Sequence, residues 1–389
     1  MHFSNDRLTI LGARVVLEES VLENASLVVA AGVISDIQAG TRVRGPGDGR
    51  VLDAGGCIVG PGFVDSHCHG DGTTHFFDEP NKVVENLLKQ GTTSVLATLG
   101  YSNMERGAIG EQLRRFATAL QPRARAVIAG VHLEGPYVNR KYGAQTSKGV
   151  MKDFDAPEYR TLIDEFGDLI KWWTCAPELP GAMEFISYAT ARGQVVAAGH
   201  SEATADEIAS AIQHGLKAIT HWTNATGNPR AAAYAGTRRP GIDEAALVWD
   251  ELSAEIIPDS GGRHVDPLMA RLLLKAKGPD RVLVITDAAY ARADDPRDPA
   301  LEALDVSIDA DGNLAGSRLT MAGAARNFQI QTGCTLPQLF RMAALNTARL
   351  VGIDQKVGSI AVGKEANLVV LDERMRVTRT FLRGEEIAR

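Results

Sequence analysis

The chain has 389 residues, of which 44% are hydrophobic and 23% charged, and its formal net charge is −7 at pH 7. This composition is typical of a globular protein, and without a basic run it argues against a nucleic-acid partner. No apolar run reaches the roughly 18 residues of a membrane span, so no membrane partner is expected. The polar N-terminal stretch has no charged-then-apolar leader and the four cysteines are scattered, which predicts a cytoplasmic protein without disulfides.

Both ends of the chain are predicted to form short strands. Alternating or continuous β-branched residues occur in LTILGARVV and ASLVVAAGVISDIQ near the start, and again in SIAVGKEANLVVLD near the end. Because the ends are rich in strands and the middle is not, we predict a discontinuous β-sandwich domain built from residues 1–57 and 355–389.

Residues 58–354 alternate short apolar runs with longer amphipathic segments. Eight of the runs are predicted to be buried parallel strands. They lie at 58–66, 92–100, 124–136, 169–178, 193–200, 216–224, 252–260 and 281–288. Eight βα units over about 230 residues indicate an α/β fold whose main domain is a closed (β/α)8 TIM barrel.

The stretch GFVDSHCHGDG, at the end of the first of these strands, contains two histidines one residue apart. Residues i and i+2 of a strand point to the same face, so His67 and His69 aim two imidazoles at one point. Two convergent imidazoles suit a metal ion better than an apolar core. The pair alone leaves open the alternative of two hydrogen-bonded histidines at a strand end.

Four further predicted strands end in a polar side chain, and in TIM barrels the catalytic groups project from these C-terminal ends. The four residues are Glu134 in HLEGP, His200 in AAGHS, His221 in ITHWTN and Asp287 in VITDA. Any one of them could be structural. Together with the histidine pair they predict one polar cluster at the barrel mouth.

The predicted cluster suits a first-row divalent metal, with zinc the first expectation and iron, manganese or cobalt the alternatives. Glu134, His200 and His221 could hold one ion. His67 and His69, with Glu134 as a bridge, could hold a second, so one or two ions are expected.

Asp287 is the carboxylate that these ligand sets leave over. It is predicted to take a proton from the attacking water and to deliver it to a departing amine, as a general base and then a general acid. This combination of ligands and carboxylate is suited to the hydrolysis of an amide.

The chain resembles a known family through a series of motifs that cover roughly residues 5–388. In order they are PGFVDSHCHG, HLEGPYVN, APE, AAGHSEAT, THWTNA, RRPG, VITDA, SRLTMAGAARN and SIAVGKEANLVVLD. They resemble the amidohydrolase superfamily and, within it, the N-acetylglucosamine-6-phosphate deacetylases. The resemblance implies a metal-dependent deacetylase of amino-sugar catabolism, which converts N-acetylglucosamine-6-phosphate to glucosamine-6-phosphate and acetate.

The resemblance gives the metal ligands and Asp287 the same roles as above and adds residues for the substrate. Asn224 and Ala225 match a pair that lines the sugar-phosphate pocket. Arg238 matches an arginine that binds the phosphate, and His264 matches a histidine that contacts the substrate. The family resemblance also implies a homodimer, in which Arg238 or His264 completes the neighbour's pocket.

Three departures from the family pattern put the substrate in question. Gln145 stands where a substrate-contacting histidine is expected, and it can donate a hydrogen bond but cannot be cationic. The loops at 222–243 and 259–264 also differ from the family's pattern. The alternative is therefore the same mechanism on another substrate, such as an unphosphorylated or epimeric N-acetyl amino sugar or an N-acyl amino acid. A non-catalytic scaffold and a deaminase are disfavoured, because every ligand is retained and both HLEGP and RRPG are present.

Overall fold

The computed structural model describes residues 7–40, 49–104, 108–143, 150–227, 237, 239–289, 305–309 and 312–388. Its described strands form two large sheets and one hairpin. The first sheet is built from both ends of the chain, as the sequence predicts. Its strands are β1 (Leu8–Val16), β2 (Val21–Ala30), β3 (Val33–Gln38), β4 (Arg50–Asp53), β5 (Ile58–Pro61), β16 (Leu368–Leu371), β17 (Val377–Leu382) and β18 (Glu385–Glu386).

The two chain ends meet where β16 pairs antiparallel with β5. The strand order is β18-β17-β16-β5-β1-β2-β3, and β4 pairs with β1 beside this path. Apolar side chains from both ends, among them Ile10, Leu27 and Phe381, form a small core of their own. The division of the chain into domains at 57/58 and 354/355 stays a prediction.

The second sheet is the predicted barrel, an uninterrupted series of eight strands in which each pairs in parallel with the next along the chain. Its strands are β6 (Phe63–Cys68), β7 (Thr92–Gly100), β8 (Ile128–Glu134), β9 (Ile170–Cys175), β10 (Val195–Ala198), β11 (Ala218–Ile219), β12 (Ser253–Ile256) and β13 (Val282–Val284). All nine residues of β7 are buried, which is typical of parallel strands covered on both faces.

The single strand predicted over residues 58–66 is wrong in one respect, since the structure divides it in two. Ile58–Pro61 belongs to the small sheet, and the barrel begins at Phe63. Gly62 lies between them, where a Cβ would come within 2.2 Å of Oγ1 of Thr93. Only glycine fits where the chain passes from one sheet to the other.

Contacts between the first and last strands close the barrel. The backbone N–H of Asp287 donates to the carbonyl of His67 at 2.9 Å, and Cys68 and Ala288 form a parallel bridge. The hydroxyl of Thr286 also donates to Oδ2 of Asp65 at 2.6 Å. The sequence analysis did not predict the hairpin formed by β14 (Val306–Ile308) and β15 (Leu314–Ser317). This hairpin lies beside the contact between the first and last barrel strands, where Ala288 forms a bridge with Ser317.

The helices begin and end at sequence signals of the expected kind. Pro80 opens one helix at its first turn, and Thr204 forms a capping box with Glu207 at the start of another. The described helices are Pro80–Lys89, Tyr101–Met104, Ile109–Ala119, Pro122–Val127, Ala156–Phe166, Ala182–Thr190, Ala205–Gln213, Ile242–Val248, Pro267–Lys277, Met321–Thr332, Leu336–Phe340 and Asn346–Leu350, the last two joined by a π-helical turn at Arg341–Leu345. Within the described ranges, none of them combines the length and apolar character that crossing a bilayer requires.

Candidate metal centre

Six side chains meet at the C-terminal ends of five barrel strands, where the sequence places them. His67 lies in β6, Glu134 ends β8, and the others directly follow their strands. The six are His67, His69, Glu134, His200, His221 and Asp287. All but His69 are buried, so the cluster lies below the surface of the barrel mouth.

Glu134 is at the centre of the cluster. Its Oε1 lies 2.8 Å from Nε2 of His200, 3.2 Å from Nε2 of His221 and 3.5 Å from Nε2 of His67. Its Oε2 lies 3.4 Å from Nε2 of His69. Two groups of three ligands result, His67–His69–Glu134 and Glu134–His200–His221, and the ligand atoms of each group lie within 4.8 Å of one another.

The hydrogen bonds around the rings show that this donor set fits a divalent cation. Nδ1 of His221 lies 3.0 Å from the carbonyl oxygen of Asn224, and Nδ1 of His67 lies 3.2 Å from Oε2 of Glu255. Carbonyl and carboxylate oxygens only accept, so each Nδ1 carries a proton and, in a neutral ring, each Nε2 carries a lone pair. In that neutral form the Nε2 lone pairs would face the Glu134 carboxylate, and a metal ion between these acceptors would satisfy them.

The surroundings of the same two Nε2 atoms point to the same conclusion. Nε2 of His67 has no hydrogen-bond partner among the described residues, although it is fully enclosed. Nε2 of His221 lies 3.1 Å from Nε2 of His200. Buried polar atoms are normally satisfied, and a metal ion satisfies imidazole nitrogens that converge in this way.

The electrostatics of the cluster follow from its buried carboxylates. Burial acts to raise the pKa of Glu134, but His67 and His200 hold it well below its usual range. Burial acts to lower the pKa of His67, yet the carboxylates of Asp287 and Glu134 raise it well above the usual value. Burial also acts to lower the pKa of His69, but Asp287 and Glu134 raise it to about 9. Without metal, protons on these two rings balance the carboxylates, and metal binding releases them.

Asp287 lies beside the histidine pair. Its Oδ1 is 3.1 Å from Nε2 of His69 and 3.5 Å from Nε2 of His67. Burial acts to raise the pKa of Asp287, but the two histidines lower it below the usual value. The carboxylate is therefore ionised at neutral pH, the state that a general base requires.

The backbone is strained at three of the six positions. His200, His221 and Asp287 have φ values of 47°, 29° and 47°, in the left-handed region that non-glycine residues rarely adopt. Such strain persists only where the surrounding structure holds it, and it is concentrated at functional sites.

The sequence analysis missed two buried carboxylates that support the cluster. Asp65 accepts from the hydroxyl of Thr286 and, at 3.2 Å, from the backbone N–H of His67, and burial raises its pKa to about 7. Glu255 accepts from Oγ of Ser66 at 2.7 Å as well as from His67. A sequence signal for such residues is an acidic side chain inside an apolar strand, as for Glu255 in AEII. A carboxylate buried in such a strand needs a hydrogen-bond partner.

The predicted substrate residues are only partly described. Asn224 and Ala225 lie just after His221, with the Ala225 carbonyl accepting from the N–H of Ser201 at 3.2 Å. His264 is buried, and among the described residues its Nδ1 pairs with Oδ2 of Asp259 at 3.2 Å while its Nε2 has no partner. Arg238 and Gln145 lie outside the described residues.

Comparison with known proteins agrees with the site. The amidohydrolase family profile matches residues 58–387. The N-acetylglucosamine-6-phosphate deacetylase of Bacillus subtilis is 30% identical over 395 aligned positions, which cover 97% of this chain and 96% of that protein. The chain belongs to the amidohydrolase family, in its N-acetylglucosamine-6-phosphate deacetylase branch. It is a hydrolase that acts on amide C–N bonds.

Two further members of this deacetylase family cover nearly the whole chain. The crystal structure of N-acetylglucosamine-6-phosphate deacetylase from Pasteurella multocida matches with a TM-score of 0.84 and 28% identity, over 98% of this chain and 100% of that one. The N-acetylgalactosamine-6-phosphate deacetylase of Escherichia coli O157:H7 is 28% identical over 96% of this chain and 97% of that protein. The fold class predicted from the sequence, a TIM barrel with a small β-domain, is confirmed.

Proposed function

We propose that this protein is a metal-dependent deacetylase that hydrolyses the N-acetyl amide of N-acetylglucosamine-6-phosphate, giving glucosamine-6-phosphate and acetate in amino-sugar catabolism. The observation that carries the proposal is the pair of ligand groups sharing Glu134, with the ionised Asp287 beside them. The relatives at 28–30% identity over nearly the whole chain support the substrate class.

Two ligand groups would hold the metal in this proposal. Glu134, His200 and His221 would hold one ion, and His67, His69 and Glu134 would hold a second, with zinc as the proposed metal and iron, manganese or cobalt as alternatives. A divalent ion bound there would polarise the amide carbonyl as a Lewis acid and lower the pKa of a bound water molecule to about 7.

Asp287 moves the proton. Its carboxylate accepts a proton from the attacking water, and the protonated Asp287 then donates that proton to the nitrogen of the departing amine. His69, at 3.1 Å, orients the Asp287 carboxylate toward the ligand cluster. The low pKa of Asp287 keeps the base available at neutral pH.

The substrate contacts are assigned by resemblance. Arg238 binds the phosphate, Asn224 and Ala225 line the sugar-phosphate pocket, and Gln145 and His264 contact the sugar or its amide. Nε2 of His264 is buried and has no partner among the described residues, which supports this role because a substrate hydroxyl would satisfy it.

A second candidate substrate is the galactosamine epimer. The E. coli relative that acts on N-acetylgalactosamine-6-phosphate is nearly as similar to the chain as the relatives named for the glucosamine sugar. Gln145, in place of the expected histidine, also changes the substrate side of the site.

The test is acetate release from N-acetylglucosamine, its 6-phosphate and N-acetylgalactosamine-6-phosphate, on enzyme whose metal content has been measured. We expect a strong preference for N-acetylglucosamine-6-phosphate. Arg238→Ala should raise KM for the phosphorylated sugar, whereas the same change at the neighbouring Arg239 should have a smaller effect. Release from none of the three by metal-loaded enzyme overturns the proposal and indicates another N-acyl substrate.

Two broader expectations belong to the same proposal. A cytoplasmic location is supported by the four cysteines, all described and all free. A homodimer is supported by the apolar side chains of Leu268, Leu272 and Ile330, which remain exposed on two neighbouring helices. Light scattering after gel filtration measures the oligomeric state, and a monomer at micromolar concentration contradicts the dimer.

A further inference from the structure

Glu255 is a buried acid for which neither the proposed reaction nor the family motifs give a role. It lies in β12, among apolar neighbours, with no exposed surface. Within the described part of the chain no lysine or arginine forms an ion pair with its carboxylate, which instead contacts Oγ of Ser66 at 2.7 Å, Nδ1 of His67 at 3.2 Å and, at a longer 3.4 Å, the backbone N–H of His221. Burying a carboxylate without compensating charge is costly, so the compensation must come from the cluster.

The contacts of Glu255 determine how His67 is presented. The carboxylate can only accept, so Nδ1 of His67 donates to it and Nε2 faces Glu134 and Asp287, each at 3.5 Å. Ser66 donates to the other oxygen of Glu255 and so holds the carboxylate in position. A carboxylate that accepts from the far nitrogen of a ligand histidine fixes its tautomer and ring orientation and makes it a stronger ligand.

The charge of Glu255 also bears on how many ions the centre holds. Three buried carboxylates, those of Glu134, Glu255 and Asp287, surround the His67 ring. One divalent ion balances two of these charges, and a second balances the third. The carboxylate of Glu255 therefore favours the second ion through charge as well as through geometry.

We propose that Glu255 is a positioning residue for the ion of the His67–His69–Glu134 group, orienting His67 and supplying the charge that lets the centre hold two ions. It contacts no reacting atom and acts through His67. This inference rests on the proposed metal-dependent function, but it is tested by metal binding without any substrate.

The test titrates Zn²⁺ into metal-free protein against a competing chelator, comparing the wild type with Glu255→Gln and Glu255→Ala. Wild type is expected to bind two ions. Glutamine has nearly the shape of glutamate and can still accept a hydrogen bond from Nδ1, but it lacks the charge. It should therefore lower the affinity for one ion roughly tenfold to a hundredfold. Alanine should weaken it further. Two ions at wild-type affinity in Glu255→Gln, or one ion in the wild type, overturns the inference.

Two matched variants separate a positioning role from a structural one. Ser66→Ala removes the hydrogen bond from Ser66 to Glu255 and leaves the contacts with His67 and the backbone of His221, so the affinity for the second ion should change by less than about threefold. His69→Ala removes the second ion itself. Glu255 contacts the ligands of the remaining ion only through the backbone N–H of His221, so adding Glu255→Gln to His69→Ala should leave the affinity of that ion nearly unchanged. An equal weakening of the remaining ion contradicts the assignment.

The same experiments distinguish failure of this inference from failure of the proposed function. If wild type binds two ions, and Glu255→Gln loses one, but no acetate is released from any amino sugar, the substrate proposal fails and the role of Glu255 stands. If acetate is released and Glu255→Gln binds both ions normally, the role of Glu255 fails and the deacetylase stands.

Discussion

Oδ1 of Asp287 lies 3.1 Å from Nε2 of His69, and the same nitrogen lies 3.4 Å from Oε2 of Glu134. The carboxylate proposed to move the proton and the carboxylate proposed to bridge the ions therefore share one imidazole. This places the proton-transfer group directly against the metal ligands, where a water molecule attacking an amide would have to be deprotonated.

Replacing Asp287 by asparagine should separate chemistry from metal binding. The amide has nearly the same shape and leaves both ligand groups intact, but it cannot take a proton. We expect kcat to fall at least roughly a hundredfold, the scale of general acid–base catalysis, with KM changed little. Metal content and thermal unfolding temperature serve as controls. Near-normal kcat in a variant with its full metal content would remove Asp287 from the proton transfer.

Glu134 should be the one ligand whose loss affects both ions. It is the single residue common to the two ligand groups found among the described residues. Glu134→Gln replaces its carboxylate by a neutral amide, so both ions should be lost on dialysis against chelator. His69→Ala should lose one ion and keep the other. Elemental analysis of the dialysed proteins decides, and an equal metal content in the two variants contradicts a bridging Glu134.

The sequence predicted most of the barrel because its signals are local. The second strand was predicted at 92–100 and is found at Thr92–Gly100, since this run of β-forming residues is bounded by Gly91 and Gly100. The first strand was less accurate, because the chain passes from the small sheet to the barrel at Gly62 without losing its apolar character. What distinguishes the two halves is which strands they pair with, and pairing is a tertiary property.

The ligand cluster could be predicted because its residues lie at the ends of strands. The two buried carboxylates that support it, Asp65 and Glu255, could not. His200 and His221 stand out as polar groups after apolar runs. Glu255 and Asp65 lie within their strands, and only the packed structure shows that each accepts a hydrogen bond from His67, Glu255 from its ring and Asp65 from its backbone. Glu255 lies 188 positions from His67. Thr286, whose hydroxyl donates to Asp65, lies 221 positions from that acid, and no local pattern covers such separations.

Gly100, the last residue of β7, should tolerate no side chain. A Cβ at this position would lie 2.8 Å from Cε1 of His69 and 3.1 Å from Oε2 of Glu134. Gly100→Ala should therefore displace the His69 ring and lower the affinity for the ion that His69 would hold by about tenfold or more, since small displacements of site groups have large effects. The change is measured by the same Zn²⁺ titration.

Gly110→Ala is the matched control for that substitution. Gly110 lies in the helix Ile109–Ala119, and a Cβ there meets nothing closer than 3.5 Å. At this first-turn position alanine should stabilise the fold by at most about 0.5–1 kcal/mol and leave metal binding unchanged. If both alanine variants bind zinc like the wild type, the close packing at Gly100 does not constrain His69.

Asp259 should stabilise the loop that carries His264 in a way that depends on pH. Its carboxylate accepts from the backbone N–H of Arg263 and His264, at 2.9 and 2.8 Å, and faces Nδ1 of His264 at 3.2 Å. Burial acts to raise the pKa of Asp259, but these bonds from His264 and Arg263 lower it below the usual 3.8. An acid whose pKa is lower in the folded state stabilises the fold where it is ionised, above its unfolded pKa, and loses that contribution as pH falls through the folded pKa.

Asp259→Asn should therefore lower the free energy of unfolding at neutral pH by about 1.5–3 kcal/mol, the range for hydrogen bonds to a charged group. The difference between wild type and variant should be constant from about pH 7 to pH 5 and should shrink below about pH 4, because the carboxyl of the unfolded wild type then takes up a proton while that of the folded protein is still ionised. Denaturant unfolding at several pH values measures it. A difference that is the same at pH 3.5 and pH 7 would mean that the charge of Asp259 does not stabilise the loop, and that the asparagine variant is destabilised by altered geometry alone.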